Sequence, residues 1–223
     1  MNTGHPDRRD GSSDSAGITQ GLIACTLLQI LLSGCTGSVH PLLTEKDMLQ
    51  TTDLSGQWLL NLQESDQASQ QLLVTLSARG TSDYDLELKP GQSAALKQVP
   101  DQTSKWPTRF TLQIGSIDGQ TYAQLQARRS TAGPPVALGI PVWWFGRLAL
   151  TEDTISFAPV LDDHGDFARE NKLPHIRSGS AENSPETVFT GTTAELQQML
   201  RSNGDRLFRS RPIVLKRMKS STD

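Results

Sequence analysis

The chain has 223 residues, of which 35% are hydrophobic and 20% are charged. This composition excludes a wholly disordered chain and a multi-span membrane protein, and the length favours a single domain. The formal net charge of −3 provides no global attraction to nucleic acid, so we expect no nucleic-acid partner. Composition alone indicates no biochemical activity, and the N-terminus is the most informative part of the sequence.

An apolar run close to the N-terminus predicts export. Leu22–Leu32 fits the apolar core of a secretory signal, which needs about 7–15 residues, and it is too short for a transmembrane helix of about 20. The segment before it departs from a typical signal, because it is long and its Arg8 and Arg9 are outnumbered by aspartates. We interpret residues 1–34 as a signal peptide.

The residues that follow this run resemble the lipobox of bacterial lipoproteins. They read Leu32-Ser33-Gly34-Cys35; the small residues suit a peptidase pocket, and a cysteine thiolate forms the thioether to diacylglycerol. The resemblance implies cleavage between Gly34 and Cys35, a palmitate-bearing lipid anchor on Cys35, and attachment to a membrane of the cell envelope. Thr36, where an aspartate would signal retention in the inner membrane, implies the outer membrane, with the protein facing the periplasm.

Export would also remove or modify each of the two cysteines. Cys25 lies in the signal peptide and Cys35 would carry the lipid, so we expect a mature domain without a thiol for a disulfide, a metal site or nucleophilic catalysis. The predicted organisation is a signal peptide over residues 1–34, a lipidated tether over 35–54 that leads into the fold, and a single β-rich domain over 55–223.

From Ser55 onward, hydrophobic and polar residues alternate as in half-buried strands. A polar loop is predicted over Lys89–Pro107, and Asp118-Gly119 is a hairpin-turn signal. The pattern favours a mainly β fold, an antiparallel lipocalin-like barrel or a sandwich of about 7–8 strands with one or two C-terminal helices. The predicted strands include Trp58, Leu60 and Leu62; Leu72, Val74 and Leu76; Tyr84, Leu86 and Leu88; Phe110, Leu112 and Ile114; Tyr122–Ala127; Val142–Leu150; Thr154–Val160; and a last strand at Pro212–Met218.

The C-terminal third contains the helix signals. Asp162–Asn171 is a candidate helix with acidic residues at its N-terminal end, and Ile176–Glu186 is predicted to be a loop. Thr192 and Glu195 form a capping-box pattern at the start of a second helix, and we expect Gly204 to end it.

Two segments resemble an uncharacterised bacterial lipoprotein family. Residues 40–47 read HPLLTEKD, with Leu43 where the family has tyrosine, and a G-x-W follows at Gly56-Gln57-Trp58. The distal segment Thr190–Arg217 resembles the end of the same family, a capped helix and then a short strand with basic residues. The family has no assigned activity, so the resemblance implies none for this chain.

The G-x-W also resembles the first-strand motif of lipocalins. In that fold the glycine bends the strand as it enters the barrel and the tryptophan plugs the closed end, which are the roles implied for Gly56 and Trp58. The alternative is a glycine at the start of a strand and one large core residue. Trp143-Trp144 is the other notable apolar feature, since neighbouring residues of a strand point to opposite faces. One tryptophan would enter the core, and the other would be exposed, line a ligand pocket or meet lipid.

Chemistry-bearing motifs are weak. Residues 162–166 read DDHGD, which is a candidate metal cluster, but acidic residues at a helix start explain it without a metal. No G-x-S-x-G nucleophile motif is present in the sequence. We therefore predict no catalytic residue, no metal and no cofactor, and do not expect an enzyme.

The sequence leaves two functions open. The first is a non-catalytic, membrane-anchored component of the cell envelope that binds a protein or an envelope polymer. The second is a lipocalin-like carrier of a small hydrophobic ligand, with Trp58 at the closed end of its barrel. The shape of the barrel interior, filled or hollow, separates them.

Overall fold

The computed structural model of the protein describes residues 36–50, 53–62, 70–90, 109–128, 142–160, 165–178, 186–208 and 212–218. The predictions made for the signal peptide, for Gly34 and Cys35, and for most of the loop Lys89–Pro107 concern residues outside these ranges. Within them the protein is mainly β, as expected.

The secondary structure follows the alternation seen in the sequence. Each predicted strand is present, and three short strands are added to them. The strands are β1 (Gly37–Ser38), β2 (Gly56–Leu62), β3 (Gln70–Ala78), β4 (Asp83–Pro90), β5 (Arg109–Ile117), β6 (Gln120–Ala127), β7 (Trp143–Leu150), β8 (Thr154–Pro159), β9 (His175–Ser178), β10 (Glu186–Phe189) and β11 (Ile213–Arg217). The helices in the described residues are a 3₁₀ turn (Glu45–Asp47), α1 (Asp166–Glu170) and α2 (Thr193–Leu207).

Strands β2 to β8 and β11 form a closed antiparallel barrel. Each strand from β2 to β8 pairs with the next one along the chain, and β11 closes the ring by pairing with both β8 and β2. Closure removes the free edges that an open sheet would present. Of the two predicted architectures, a barrel and a sandwich, the barrel is confirmed, and the fold is lipocalin-like.

The two ends of the barrel differ. The hairpins β3–β4, β5–β6 and β7–β8 share one end with the start of β2 and the end of β11; we call it the closed end. Asp118 and Gly119 turn the second hairpin there with φ values of 50° and 78°, which confirms the predicted Asp-Gly turn. At the opposite end, which we call the mouth, β2, β4 and β6 end and β3, β5 and β7 begin.

A short sheet extends from the mouth. The first two residues of β7 pair with β1, and later residues of the same strand pair with β8. Parallel pairing joins β1 to β10, and β10 then pairs with β9. The prediction of a loop over Ile176–Glu186 is therefore wrong at both ends of that range, because Ile176 to Ser178 belong to β9 and Glu186 begins β10. Each of these strands has only four residues, too few for alternation to mark it, and pairing with strands distant in the sequence forms them.

Helix α2 covers the outer face of β6 and β7. Its predicted capping box is confirmed, with the Thr192 side chain accepting from the Glu195 N–H and the Glu195 carboxylate accepting from the Thr192 N–H. The helix does not end at Gly204 as expected, because Leu207 packs into the core under the helix. The first predicted helix is shorter than expected: α1 covers only Asp166–Glu170, and residues 161–164 lie outside the described ranges.

The segment predicted to be a tether is part of the folded unit. Leu42 and Leu43 are 0% and 2% exposed and join the core between α2 and the barrel. At Gly115, on the outer face of β5, an added Cβ would lie 2.6 Å from the Asp47 carbonyl oxygen, so glycine permits this close approach. The described part of the predicted tether and entry segment is therefore packed against the barrel through its apolar side chains.

Candidate functional site

The barrel encloses an apolar cavity. Alternation sends every second side chain of the barrel strands inward, and these side chains leave a partly open space of about 140 Å³. All the lining residues are hydrophobic: Leu60, Val74, Leu76, Leu86, Leu88, Phe110, Leu112, Ala123, Leu125, Trp144, Leu148, Ile155, Phe157, Ile213 and Leu215. The interior is therefore hollow rather than filled.

The size and lining of the cavity define what it can hold. A dry apolar cavity of about 150 Å³ binds benzene or xenon, whereas pockets for drug-sized ligands run from about 300 Å³ upward. A polar group moved into such a space without a hydrogen-bond partner would be strongly disfavoured. The chemistry suited to the cavity is thus a small hydrocarbon group, or the end of an acyl chain.

The tandem tryptophans on β7 separate as neighbouring strand residues should. Trp144 points into the barrel and lines the cavity, with the Phe110 ring edge-on to it at 6.3 Å between centroids. Phe145 points outward and is buried against Phe189 in the outer core. Trp143, at the start of β7, is half-buried on that same outer face and pairs with Ser38 of β1.

Trp58 lies at the closed end of the barrel, the position implied by the lipocalin resemblance. Its side chain is fully buried, and its Nε1–H donates to the Leu54 carbonyl oxygen at 3.0 Å. It belongs to the inner core but is not among the residues that line the cavity. The indole therefore forms part of the floor, and of the three tryptophans singled out in the sequence only Trp144 faces the cavity.

Arg217 secures that floor, a role that no local sequence pattern indicates. Its guanidinium carbon lies 4.4 Å from the centre of the Trp58 ring. Its N–H groups donate to three backbone carbonyl oxygens, those of Asp53, Ser55 and Glu152, at 3.2, 3.3 and 3.1 Å. In the sequence Arg217 is one of several basic residues near the C-terminus, and only the pairing of β11 with β2 brings it to Trp58.

Charged residues of β4 and β5 lie on the outer surface of the barrel. Lys89 and Arg109 contact the Glu87 carboxylate at 2.9 and 3.2 Å. The hydrogen bond from Lys89, followed by that from Arg109, holds the pKa of Glu87 below its ordinary value despite some desolvation. The basic residues of α2 are paired as well, Arg201 with Asp118 and Arg206 with Glu170. These charged pairs lie on the exterior, and the cavity wall contains none of them.

Within the described ranges, no three His, Cys, Asp or Glu side chains come together in a way that could hold a metal ion. Asp162, Asp163 and His164 of the candidate metal cluster lie outside those ranges. No helix in the described part of the chain is long and apolar enough to cross a membrane.

Fold and site together define a lipocalin-like eight-stranded barrel with an apolar interior. Comparison of the chain with protein-family models, with curated protein sequences and with solved structures gives no match. The interpretation of its role therefore depends on its own residues.

Proposed function

We propose that this protein is a membrane-anchored carrier that holds a small hydrophobic ligand inside its barrel. The observation that supports the proposal is the apolar cavity of about 140 Å³. Protein interiors normally pack as densely as organic crystals. Side chains that border an unfilled space lose packing contacts they would otherwise make. A ligand that fills the space recovers contacts that the fold alone forgoes.

The cavity changes the order of the two functions that the sequence left open. A component that binds a protein or an envelope polymer through its outer surface has no need of a hollow interior. A carrier does, and the lining residues supply the apolar wall that such a ligand requires. We therefore place the carrier first, as a binding protein rather than an enzyme.

The membrane anchor is the second part of the proposal, and its support comes from the lipobox resemblance at Leu32–Cys35. A single acyl chain holds a protein only marginally at a bilayer, whereas two or more hold it stably. A diacylglycerol thioether on Cys35 would therefore keep the protein at the membrane. Because residue 36 is threonine and not the aspartate that signals inner-membrane retention, we place the protein in the outer membrane.

Ligand binding is tested with the water-soluble chain, made without residues 1–34 and with Cys35→Ser. Titration with a fluorescent fatty acid is expected to give saturable one-to-one binding with a submicromolar Kd. Ala123→Leu places a larger side chain inside the cavity and is expected to weaken binding at least about tenfold, or 1.4 kcal/mol.

The matched control is Ala149→Leu, which adds the same atoms on the exposed outer side of β7. It should leave the Kd unchanged. Absence of saturable binding by the unsubstituted domain, or equal weakening by the two variants, would contradict a ligand site in the barrel.

Anchoring is tested separately in cells fed labelled palmitate. The unsubstituted chain is expected to incorporate label, whereas Cys35→Ala should remain unlabelled and accumulate as precursor. An intact mass that shows an unmodified mature chain beginning at another residue would contradict lipidation of Cys35.

A further inference from the structure

The structure places the start of the described chain at the mouth of the barrel. Thr36 is 2% exposed, and its N–H donates to the Val160 carbonyl oxygen at 2.9 Å. Val160 directly follows β8, which leaves the closed-end hairpin at Thr154 and runs to the mouth. Thr36 is thus held at the end of the barrel opposite to Trp58 and Arg217.

Strand β1 fixes this position over the next residues. Gly37 and Ser38 pair with Trp144 and Trp143, the first residues of β7, and the Val39 N–H donates to the Phe189 carbonyl oxygen at 3.0 Å. Thr36, the residue after Cys35 in the sequence, is therefore held at the mouth, and a lipid on Cys35 would join the chain one residue before it.

The short sheet at this end leads from the cavity wall to one exposed apolar residue, Ile176. Trp144, Gly37 and Val188 are successive cross-strand partners, and Ile176 of β9 is the next. Cross-strand partners share a face of the sheet, so Ile176 lies on the face to which Trp144 belongs. Its side chain is 41% exposed.

Trp143 lies at the same end of the barrel but on the opposite, outer face of β7, where it is half-buried. Tryptophan is enriched where a protein meets the membrane–water interface, because its ring is apolar and its N–H is polar. A half-buried tryptophan and an exposed isoleucine therefore lie at the same end of the barrel as Thr36.

We infer that the mouth of the barrel faces the bilayer that carries the Cys35 anchor, and that the ligand is an acyl-chain lipid drawn from that leaflet. The inference rests on the proposed function, namely lipidation of Cys35 and binding inside the barrel. The end of the acyl chain enters the cavity, whose wall is hydrophobic throughout. The polar head group stays at the mouth, near the membrane surface, because the cavity lining gives it no hydrogen-bond partner.

The orientation is tested on the full lipidated protein in vesicles of phosphatidylethanolamine and phosphatidylglycerol. Single cysteines take a fluorescent label, since the thiol of Cys35 is consumed by its thioether. Lys89→Cys labels the mouth end of β4, and Thr81→Cys labels the hairpin at the closed end; both positions are exposed.

A short-range nitroxide quencher is placed on the lipid head groups. An eight-residue strand such as β4, rising about 3.3 Å per residue and tilted in a barrel, separates the two labels by about 20 Å. Quenching at Lys89→Cys is expected to exceed that at Thr81→Cys by at least about twofold, since short-range quenching falls off over that distance.

Equal quenching of the two labels, or stronger quenching at Thr81→Cys, would overturn the inference. If either of these quenching results is found while the water-soluble chain binds the fatty acid and palmitate labels Cys35, the proposed function stands and only the orientation is wrong. If the soluble domain fails to bind, the carrier function falls whatever the orientation. If palmitate is absent from Cys35, both the anchor and the orientation fall.

Discussion

The inner and outer faces of the same strands build two different cores. On the inner face of β5 to β7, Leu112, Leu125 and Trp144 surround empty space. On the outer face, Tyr122 and Phe145 are covered by α2 and by the chain that follows Thr36. Alternation decides which face a side chain takes, but not whether that face is filled. The barrel diameter is set by its strands, and side chains of this size leave its centre open.

Polar groups distinguish the two cores further. Gln124 is 0% exposed on the outer side of β6, and its amide is fully engaged. Its Oε1 accepts from the Leu43 N–H at 2.9 Å, and its Nε2 donates to Gln113 Oε1 at 2.7 Å and to the Leu43 carbonyl oxygen at 3.4 Å. Such a paired group specifies one arrangement of neighbours. The outer core therefore fixes the fold, and the inner core surrounds an apolar space.

Two phenylalanines with similar burial give the largest test of this difference. Phe145→Ala removes a ring that is 1% exposed in the filled outer core, and we expect the free energy of unfolding to fall by about 3–5 kcal/mol. Phe110→Ala removes a ring that is 3% exposed but borders the cavity, so fewer contacts are lost. The fall in the free energy of unfolding, measured by urea titration, should be at least about 1 kcal/mol smaller than for Phe145→Ala. The reason is that the cost of such a truncation depends on how tightly the site is packed. A cost for Phe110→Ala equal to or above that of Phe145→Ala would contradict a packing difference between the two cores.

The closed end comes next in size. Arg217→Met keeps an apolar stem over Trp58 but removes the charge and the donors to three carbonyl oxygens. We expect a loss of about 2–3 kcal/mol in the free energy of unfolding, measured by urea titration. Arg217→Lys restores the charge without the planar array of donors and should lose less. A loss below about 0.5 kcal/mol for Arg217→Met would show that the guanidinium does not secure the floor.

The polar pairing in the outer core gives an effect of intermediate size. Gln124→Leu leaves the Leu43 N–H and carbonyl without their side-chain partner, and should lower the free energy of unfolding by about 1–3 kcal/mol. Gln126→Leu is the matched control, on the same strand and the same outward face but only half-buried. Thermal unfolding should show the larger drop for Gln124→Leu, and equal drops would contradict the role of this amide in anchoring the N-terminal segment.

Asp47 provides the smallest effect and a dependence on pH. Desolvation raises its pKa, but hydrogen bonds from the Thr44 side chain and backbone and from Gln197 outweigh it, so the pKa lies below the ordinary 3.8. Because the folded pKa is lowered, the stabilisation is present above that ordinary value and is lost as the pH falls through the folded pKa. Asp47→Asn should therefore cost at most about 1 kcal/mol at neutral pH, since solvent screens much of the group. The difference in the free energy of unfolding between the unsubstituted protein and Asp47→Asn should shrink in acid. A difference that stays the same at every pH would mean that the shape of the side chain, and not its charge, is responsible.

Local patterns in the sequence predicted most of the elements. The alternation around Trp58 and Leu60, the turn at Asp118-Gly119 and the capping box at Thr192 each depend on neighbours a few residues away, and each is present. Closure of the barrel by β11, the position of Arg217 and the strands β9 and β10 depend on partners far along the chain. Burial of Leu42 likewise depends on α2, about 150 residues later. Nothing local marks these residues.

The sequence pattern could not predict the cavity, for a related reason. Trp144 was one of two candidate inward residues, and only the register between β6 and β7 decides between them. Whether the inward side chains meet in the centre depends on how the strands tilt and stagger around the whole barrel. The hydrophobic lining was thus predictable, whereas the space within it was not.

Xenon binding tests the central claim most directly, since xenon enters dry apolar cavities without any specific group to recognise it. Crystals of the soluble domain under xenon pressure should show a bound atom inside the barrel, between Leu112 and Trp144. The site should be lost in Ala123→Leu and kept in Ala149→Leu. A barrel interior without xenon, closed by inward side chains, would contradict the account.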